Sequence, residues 1–173
     1  TFTNKAAGEM KYRAEGLLGR QMDVWVSTFH SFCARMLRRY GEALGLGPGF
    51  SIYDERDSLD VIKRILKDMG VSYSPKGIRS VISRSKNDLE DFHCEYGLEW
   101  MLEVYEEYQR VLKEANALDF DDLLVMMVEL LRSDVGDRIR EMFDYVLIDE
   151  YQDANYACLL YTSDAADEGL GVD

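Results

Sequence analysis

Hydrophobic residues recur along this chain at helical spacing in most stretches and in short uninterrupted runs in a few. Ala6, Ala7, Met10, Ala14, Leu17 and Leu18 keep helical spacing. Thr3 or Asn4 can cap that helix and Gly19 can close it, while the residues before it are β-formers, so the chain opens at the tail of a strand. VWVS at 24–27 predicts a second strand, and TFHSFCARMLRRYGEALG a second helix with Thr28 near its cap and Gly45 near its end. Strand, turn and helix, twice over, is the grammar of a parallel α/β sheet.

From about residue 54 the rhythm is helical only. Leu59, Ile62, Ile65, Leu66 and Met69 share one face, with Gly70 as a stop. Ser74 followed by Pro75 starts another helix, and 97–117 form a long amphipathic one carrying Leu98, Leu102, Tyr105, Tyr108 and Leu112. Residues 54–116 therefore read as a helical insertion. LDFDDLLVMMVELL predicts a further helix capped by Asp119, whose Met and Leu stripe at 125–131 reads as core. VGDRIREMF then leads to Val146, Leu147 and Ile148, an apolar run suited to a strand buried on both faces. No internal repeat is present.

Directly after that run stand Asp149, Glu150 and, three residues on, Asp153. At the C-terminal edge of a parallel strand, adjacent carboxylates are placed to hold a hard cation and orient a water. The plainer reading is a solvated loop after a core strand.

Composition narrows the class. With 47% hydrophobic and 12% aromatic residues in 173, the chain can build a packed interior of one domain, or of one core with an insertion. No run of eighteen apolar residues and no signal-peptide pattern occurs, so a soluble protein with no membrane partner is expected. Cys33, Cys94 and Cys158 match no metal-binding spacing, which suggests buried, reduced thiols and a cytoplasmic location. The net charge of −13 argues against a nucleic-acid partner, yet residues 1–40 carry a local excess of +4 through Lys5, Lys11, Arg13, Arg20, Arg35, Arg38 and Arg39. Lys76, Arg79, Arg84 and Lys86 form a second basic group, which a solvated helix face explains equally well.

Three stretches say more together than apart. TFTNKAAGEM, STFHSFCARML and VLIDEYQDAN fall in that order, each at a predicted strand-to-helix or strand-to-loop junction. The chain resembles superfamily 1 DNA helicases of the UvrD, PcrA and Rep group over residues 1 to about 157: TFTNKAA is similar to motif Ia, STFHSF to motif Ib, and IDEYQD to motif II, the Walker B equivalent. LDFDDLL is similar to a segment that recurs between the last two. The resemblance implies an incomplete RecA-like P-loop NTPase sheet with a helical insertion subdomain: 1–53 and 117–157 as the two parts of the ATPase core, 54–116 as the insertion. It further implies that ATP and Mg²⁺ are the cofactors, with Asp149 binding the magnesium and Glu150 acting as the base toward the attacking water. Phe2, Thr28, Phe29 and His30 would contact single-stranded DNA, an aromatic ring stacking on any base. Lys76, Arg79, Arg84 and Lys86 would lie near duplex DNA at a single-strand/double-strand junction. Each has a structural alternative: Phe2 packing under the sheet, Phe29 in the core, His30 bonding backbone groups.

The phosphate-cradling GxxxxGK[ST] loop, which the family carries before motif Ia, is not in these residues, so this stretch alone is expected not to hydrolyse ATP at a useful rate. The chain reads as a gene fragment lacking its N-terminus and the second motor domain. CLLYTSDAADE resembles a translated sequencing adapter, and 158–173 are expected to be a non-native tail. Alternatives from other classes are a fragment of an AddA/RecB-type helicase-nuclease, a nucleotide-independent DNA-binding module, and an inactive fragment with uncovered sheet edges.

Overall fold

A computed structural model of the chain describes residues 3–19, 25–47, 49–88 and 99–149. Its elements, in chain order, are α1 (Asn4–Leu18), α2 (Phe29–Tyr40), a 3₁₀ turn (Gly41–Leu44), β1 (Ser51–Ile52), α3 (Glu55–Asp68), α4 (Pro75–Asp88), α5 (Glu99–Glu114), β2 (Ala117–Leu118), α6 (Phe120–Arg132) and α7 (Gly136–Arg140). The architecture is a mostly helical α/β arrangement with one small parallel sheet of two strands.

Local chemistry sets most helix ends. Thr3, Thr28, Asp54 and Asp119 cap α1, α2, α3 and α6, each side chain accepting a backbone N–H three residues on. Asp54 with Asp57, and Asp119 with Asp122, complete reciprocal capping boxes. Gly19 and Gly70 adopt positive φ after α1 and α3, a conformation that costs glycine nothing. Ser74 Oγ accepts from Gly77 N at 3.3 Å as Pro75 opens α4.

β1 and β2 pair in parallel, Ser51 opposite Ala117 and Ile52 opposite Leu118. The ladder extends through Ser51 N–H to the Asn116 carbonyl (2.9 Å) and Tyr53 N–H to the Leu118 carbonyl (2.8 Å). Each strand runs straight into a capping-box helix, so the starts of α3 and α6 lie side by side. Residues between the strands form a hydrophobic cluster of their own, in which Val61, Ile62 and Ile65 of α3 meet Ile78 and Ile82 of α4 and Met101, Val104, Tyr108 and Leu112 of α5. A second cluster joins α2 and α6, with Met36, Leu37, Leu123, Met127 and Leu130 near its centre and Ile139 of α7 beneath.

Several expectations need correction. Residues 25–27 and 145–148 form no strand, and Val146 and Leu147 are 44% and 96% exposed. A parallel strand needs hydrogen-bonding neighbours on its flanks, and none of the described residues supplies one there. The two ladder strands instead arise at 51–52 and 117–118, too short to stand out as apolar runs. On α5 the buried face is Met101, Val104, Tyr108 and Leu112, and Leu102 is 40% exposed. On α1 Ala7 is buried, with Met10 and Leu17 exposed. Cys33 is buried, while Cys94 and Cys158 lie outside the described residues.

Candidate nucleic-acid interface

The starts of α1 and α2 meet through a relay of short polar side chains. Thr28 Oγ1 accepts from Ser31 N–H at 3.2 Å, and the Thr28 hydroxyl donates to Ser31 Oγ at 2.8 Å. Ser31 in turn donates to Asn4 Oδ1 at 3.0 Å, across 27 residues of sequence. The relay ties the TFTNKAA and STFHSF corners into one surface from which two helix N-termini emerge. Such termini present unpaired N–H groups and a partial positive charge, the elements of a phosphate contact. Thr28 itself is buried, and Phe29 is half-buried against the α2–α6 cluster.

Beside this corner His30 meets a residue that pattern reading missed. Its ring lies 5.4 Å, edge to face, from that of Phe120, the first residue of α6, which is 45% exposed. Burial lowers the His30 pKa below the usual value, with the Asp121 carboxylate pulling the other way. Burial thus disfavours the charged form of the ring.

A buried polar cluster holds the first turn of α6 behind Phe120. Lys86 Nζ lies 2.7 Å from both Asp119 Oδ2 and Asp122 Oδ1, with the lysine side chain only 3% exposed. Tyr108 donates to Asp119 Oδ2 at 3.0 Å, and Asn87 Nδ2 donates to Asp121 Oδ1 at 2.9 Å. Burial works against the Lys86 ammonium, but Asp122 and Asp119 outweigh it and raise its pKa. Burial also works against ionisation of both carboxylates; Lys86 prevails at Asp119 and holds its pKa down, whereas burial and the neighbouring Asp119 push Asp122 up. Burial, then Asp119, raises the Tyr108 hydroxyl and keeps it a donor.

Lys86 is thus no part of a solvated basic face, and Arg79 pairs with Glu55 at 3.4 Å. In α2, the Arg35 and Arg38 guanidinium groups lie 4.6 and 5.4 Å from the ring centroids of Trp25 and Phe50, and so are partly engaged within the chain. Asp149 is exposed. Glu150 and Phe2 lie outside the described residues. Among the described residues no group of three or more His, Cys, Asp or Glu could cage a metal ion, and no helix is long and apolar enough to cross a membrane.

Comparison with known proteins decides the family. The model of the UvrD/REP helicase N-terminal domain matches residues 1–164. The chain belongs to the UvrD/REP helicase family. Among its relatives, the ATP-dependent DNA helicase UvrD1 of Mycobacterium tuberculosis (strain ATCC 25618 / H37Rv) is 43% identical over 175 residues, covering 91% of this chain and 22% of the relative. The ATP-dependent DNA helicase PcrA of Bacillus subtilis (strain 168) is 42% identical over 174 residues, covering 91% and 23%. PcrA of Leuconostoc citreum is 41% identical over 170 residues with the same coverage, 91% and 23%. The chain thus spans less than a quarter of the length of the curated relatives it matches. The family match takes in all three ordered motifs, and the surface described above joins the first two.

Proposed function

We propose that these residues are part of the first motor domain of an ATP-dependent DNA helicase that moves 3′ to 5′ along single-stranded DNA and separates the duplex ahead of it, in DNA repair or replication. The observation that carries this reading is the shared corner of α1 and α2, linked through Asn4, Ser31 and Thr28, with the His30 and Phe120 rings in contact beside it. Two helix N-termini there suit a phosphate, and a half-exposed aromatic pair suits an unpaired base. Such a site tolerates any sequence, because every base has a π-face. Thr28, buried with its hydroxyl engaged as donor and acceptor, sets the shape of the corner, while Phe29, His30 and Phe120 supply rings; Phe2, outside the described residues, is read from its motif as a further base contact.

For ATP and Mg²⁺, Asp149 offers an exposed hard oxygen donor, and magnesium in nucleotide sites is held by one or two carboxylates with phosphates and waters rather than by a protein cage. Bound Mg·ATP supplies the phosphoryl group and neutralises charge on its phosphate oxygens. Glu150 is read as the base that orients and deprotonates water. We read 54–116 as the helical insertion between two parts of the ATPase core, and 158–173 as foreign to the gene, although the family match runs to residue 164. The stretch by itself is read as inactive toward ATP.

Binding of a labelled oligo-dT to the 173-residue chain, followed by anisotropy, tests the DNA reading. His30→Ala and Phe120→Ala are each expected to weaken binding by on the order of tenfold, one lost stack. Unchanged affinity in both variants would overturn the assignment of this corner. For the motor, the genomic DNA flanking the fragment should encode a GxxxxGK[ST] loop shortly upstream, and Glu150→Gln in that full-length product should abolish ATP hydrolysis while sparing strand binding.

A further inference from the structure

We propose that Lys86 is a positioning residue for the single-strand contact: clamped between the two capping carboxylates of α6, it fixes the turn that holds the Phe120 ring against His30. The inference rests on the reading of this corner as the DNA site.

The geometry runs through three consecutive residues. Asp119 and Asp122, which form the capping box, both lie 2.7 Å from Lys86 Nζ. Between them, Asp121 is held by Asn87 Nδ2 at 2.9 Å. Phe120 is the one residue of that turn whose side chain points outward, 45% exposed, and its ring contact is His30 of α2. Two neighbouring residues of α4 therefore grip the turn on either side of Phe120. Tyr108 of α5 adds a third hold through Asp119 Oδ2. Lys86, Asn87 and Tyr108 all lie on the helices between β1 and β2, whereas His30 belongs to α2. A shift of α4 relative to α6 would thus carry Phe120 away from His30 without touching any DNA contact directly. A capping box alone needs no lysine, since Asp54 and Asp57 complete the same motif on α3 without an ion pair to either carboxylate among the described residues. Burying an ammonium between two carboxylates is costly unless all three groups are satisfied.

The test is a double-mutant cycle on oligo-dT affinity, measured on the folded 173-residue chain with thermal unfolding recorded in parallel. Lys86→Met is expected to weaken binding about three- to tenfold, and less than twofold once Phe120 is already Ala, because the effect travels through that ring. Asn87→Ala, which leaves no buried charge unpaired, should follow the same non-additive pattern even if Lys86→Met folds poorly. Lys86→Arg, which keeps a cation between the carboxylates, should restore most of the affinity. A purely structural lysine would lower the unfolding temperature and leave the affinity of folded protein unchanged, or would add to Phe120→Ala in full; either result overturns the inference. If Phe120→Ala and His30→Ala themselves do nothing, the underlying DNA assignment fails instead.

Discussion

Removing the Lys86 side chain tests the stability side of the same cluster, and the structure says which atom suffers. In Lys86→Met the methylene stem is largely replaced, so the perturbation is the lost ammonium between two carboxylates whose side chains are 10% exposed. Asp119 keeps two donors, the Asp122 N–H at 2.8 Å on Oδ1 and the Tyr108 hydroxyl at 3.0 Å on Oδ2. Asp122 keeps one, the Asp119 N–H at 3.1 Å on Oδ2, and its Oδ1 loses the Lys86 contact. Breaking a buried pair from one side costs about 3–5 kcal/mol. Against a typical domain stability of about 5–15 kcal/mol, that is a large fraction. Urea unfolding followed by helical circular dichroism and tryptophan emission measures it. Adding Asp122→Asn removes the stranded charge yet keeps an amide oxygen for the cap, so Lys86→Met/Asp122→Asn should recover at least about half the loss. The pH dependence carries a sign. Burial raises the Asp122 pKa, and without Lys86 only the Asp119 N–H opposes it, so the folded variant binds a proton more readily than the unfolded chain. Its deficit relative to the parent should narrow as pH falls from neutral toward the ordinary carboxylate range. A loss below about 1 kcal/mol, or a double variant no more stable than the single one, would refute the assignment of cost to Asp122.

Three further outcomes follow from named contacts. Thr28→Ala removes the α2 cap and breaks the relay to Asn4; it should cost about 1 kcal/mol by urea unfolding and also weaken oligo-dT binding, whereas Asp54→Ala should cost a similar amount and leave binding unchanged. In Gly136→Ala the new Cβ would stand 1.9 Å from the Leu131 carbonyl oxygen, so the start of α7 must shift; a loss of about 2–3 kcal/mol is expected, and a thermal-shift assay that finds none would show that the turn yields freely. Burial lowers the His30 pKa, so its contribution is complete above 6.5 and is lost as pH falls through that value toward the folded one; His30→Gln should flatten this part of the pH–stability curve, read from unfolding midpoints.

Much of the secondary structure was legible because its causes are local. Thr3, Thr28 and Asp119 cap their helices within three residues, and Gly19 and Gly70 end theirs by backbone conformation alone. Strands were misread for the opposite reason: an apolar run such as Val146–Ile148 becomes a strand only when neighbours pair with it, while Ser51–Ile52 and Ala117–Leu118 pair in spite of being two residues long. The candidate corner was half legible. His30 and Thr28 stand in a motif, but Phe120 lies 90 residues from His30 and joins it only when α6 packs on α2.

By itself, then, the chain's order of residues determined where helices begin and end, which corners carry the motifs, and the family, since all of these depend on neighbours in sequence. Only the tertiary structure decided that Lys86 is buried rather than solvated, that two carboxylates share it, and that a phenylalanine from one helix completes the aromatic face of another. The reason is physical: a lysine's environment is set by what packs around its ammonium, and here those groups come from a helix that starts more than thirty residues further along the chain.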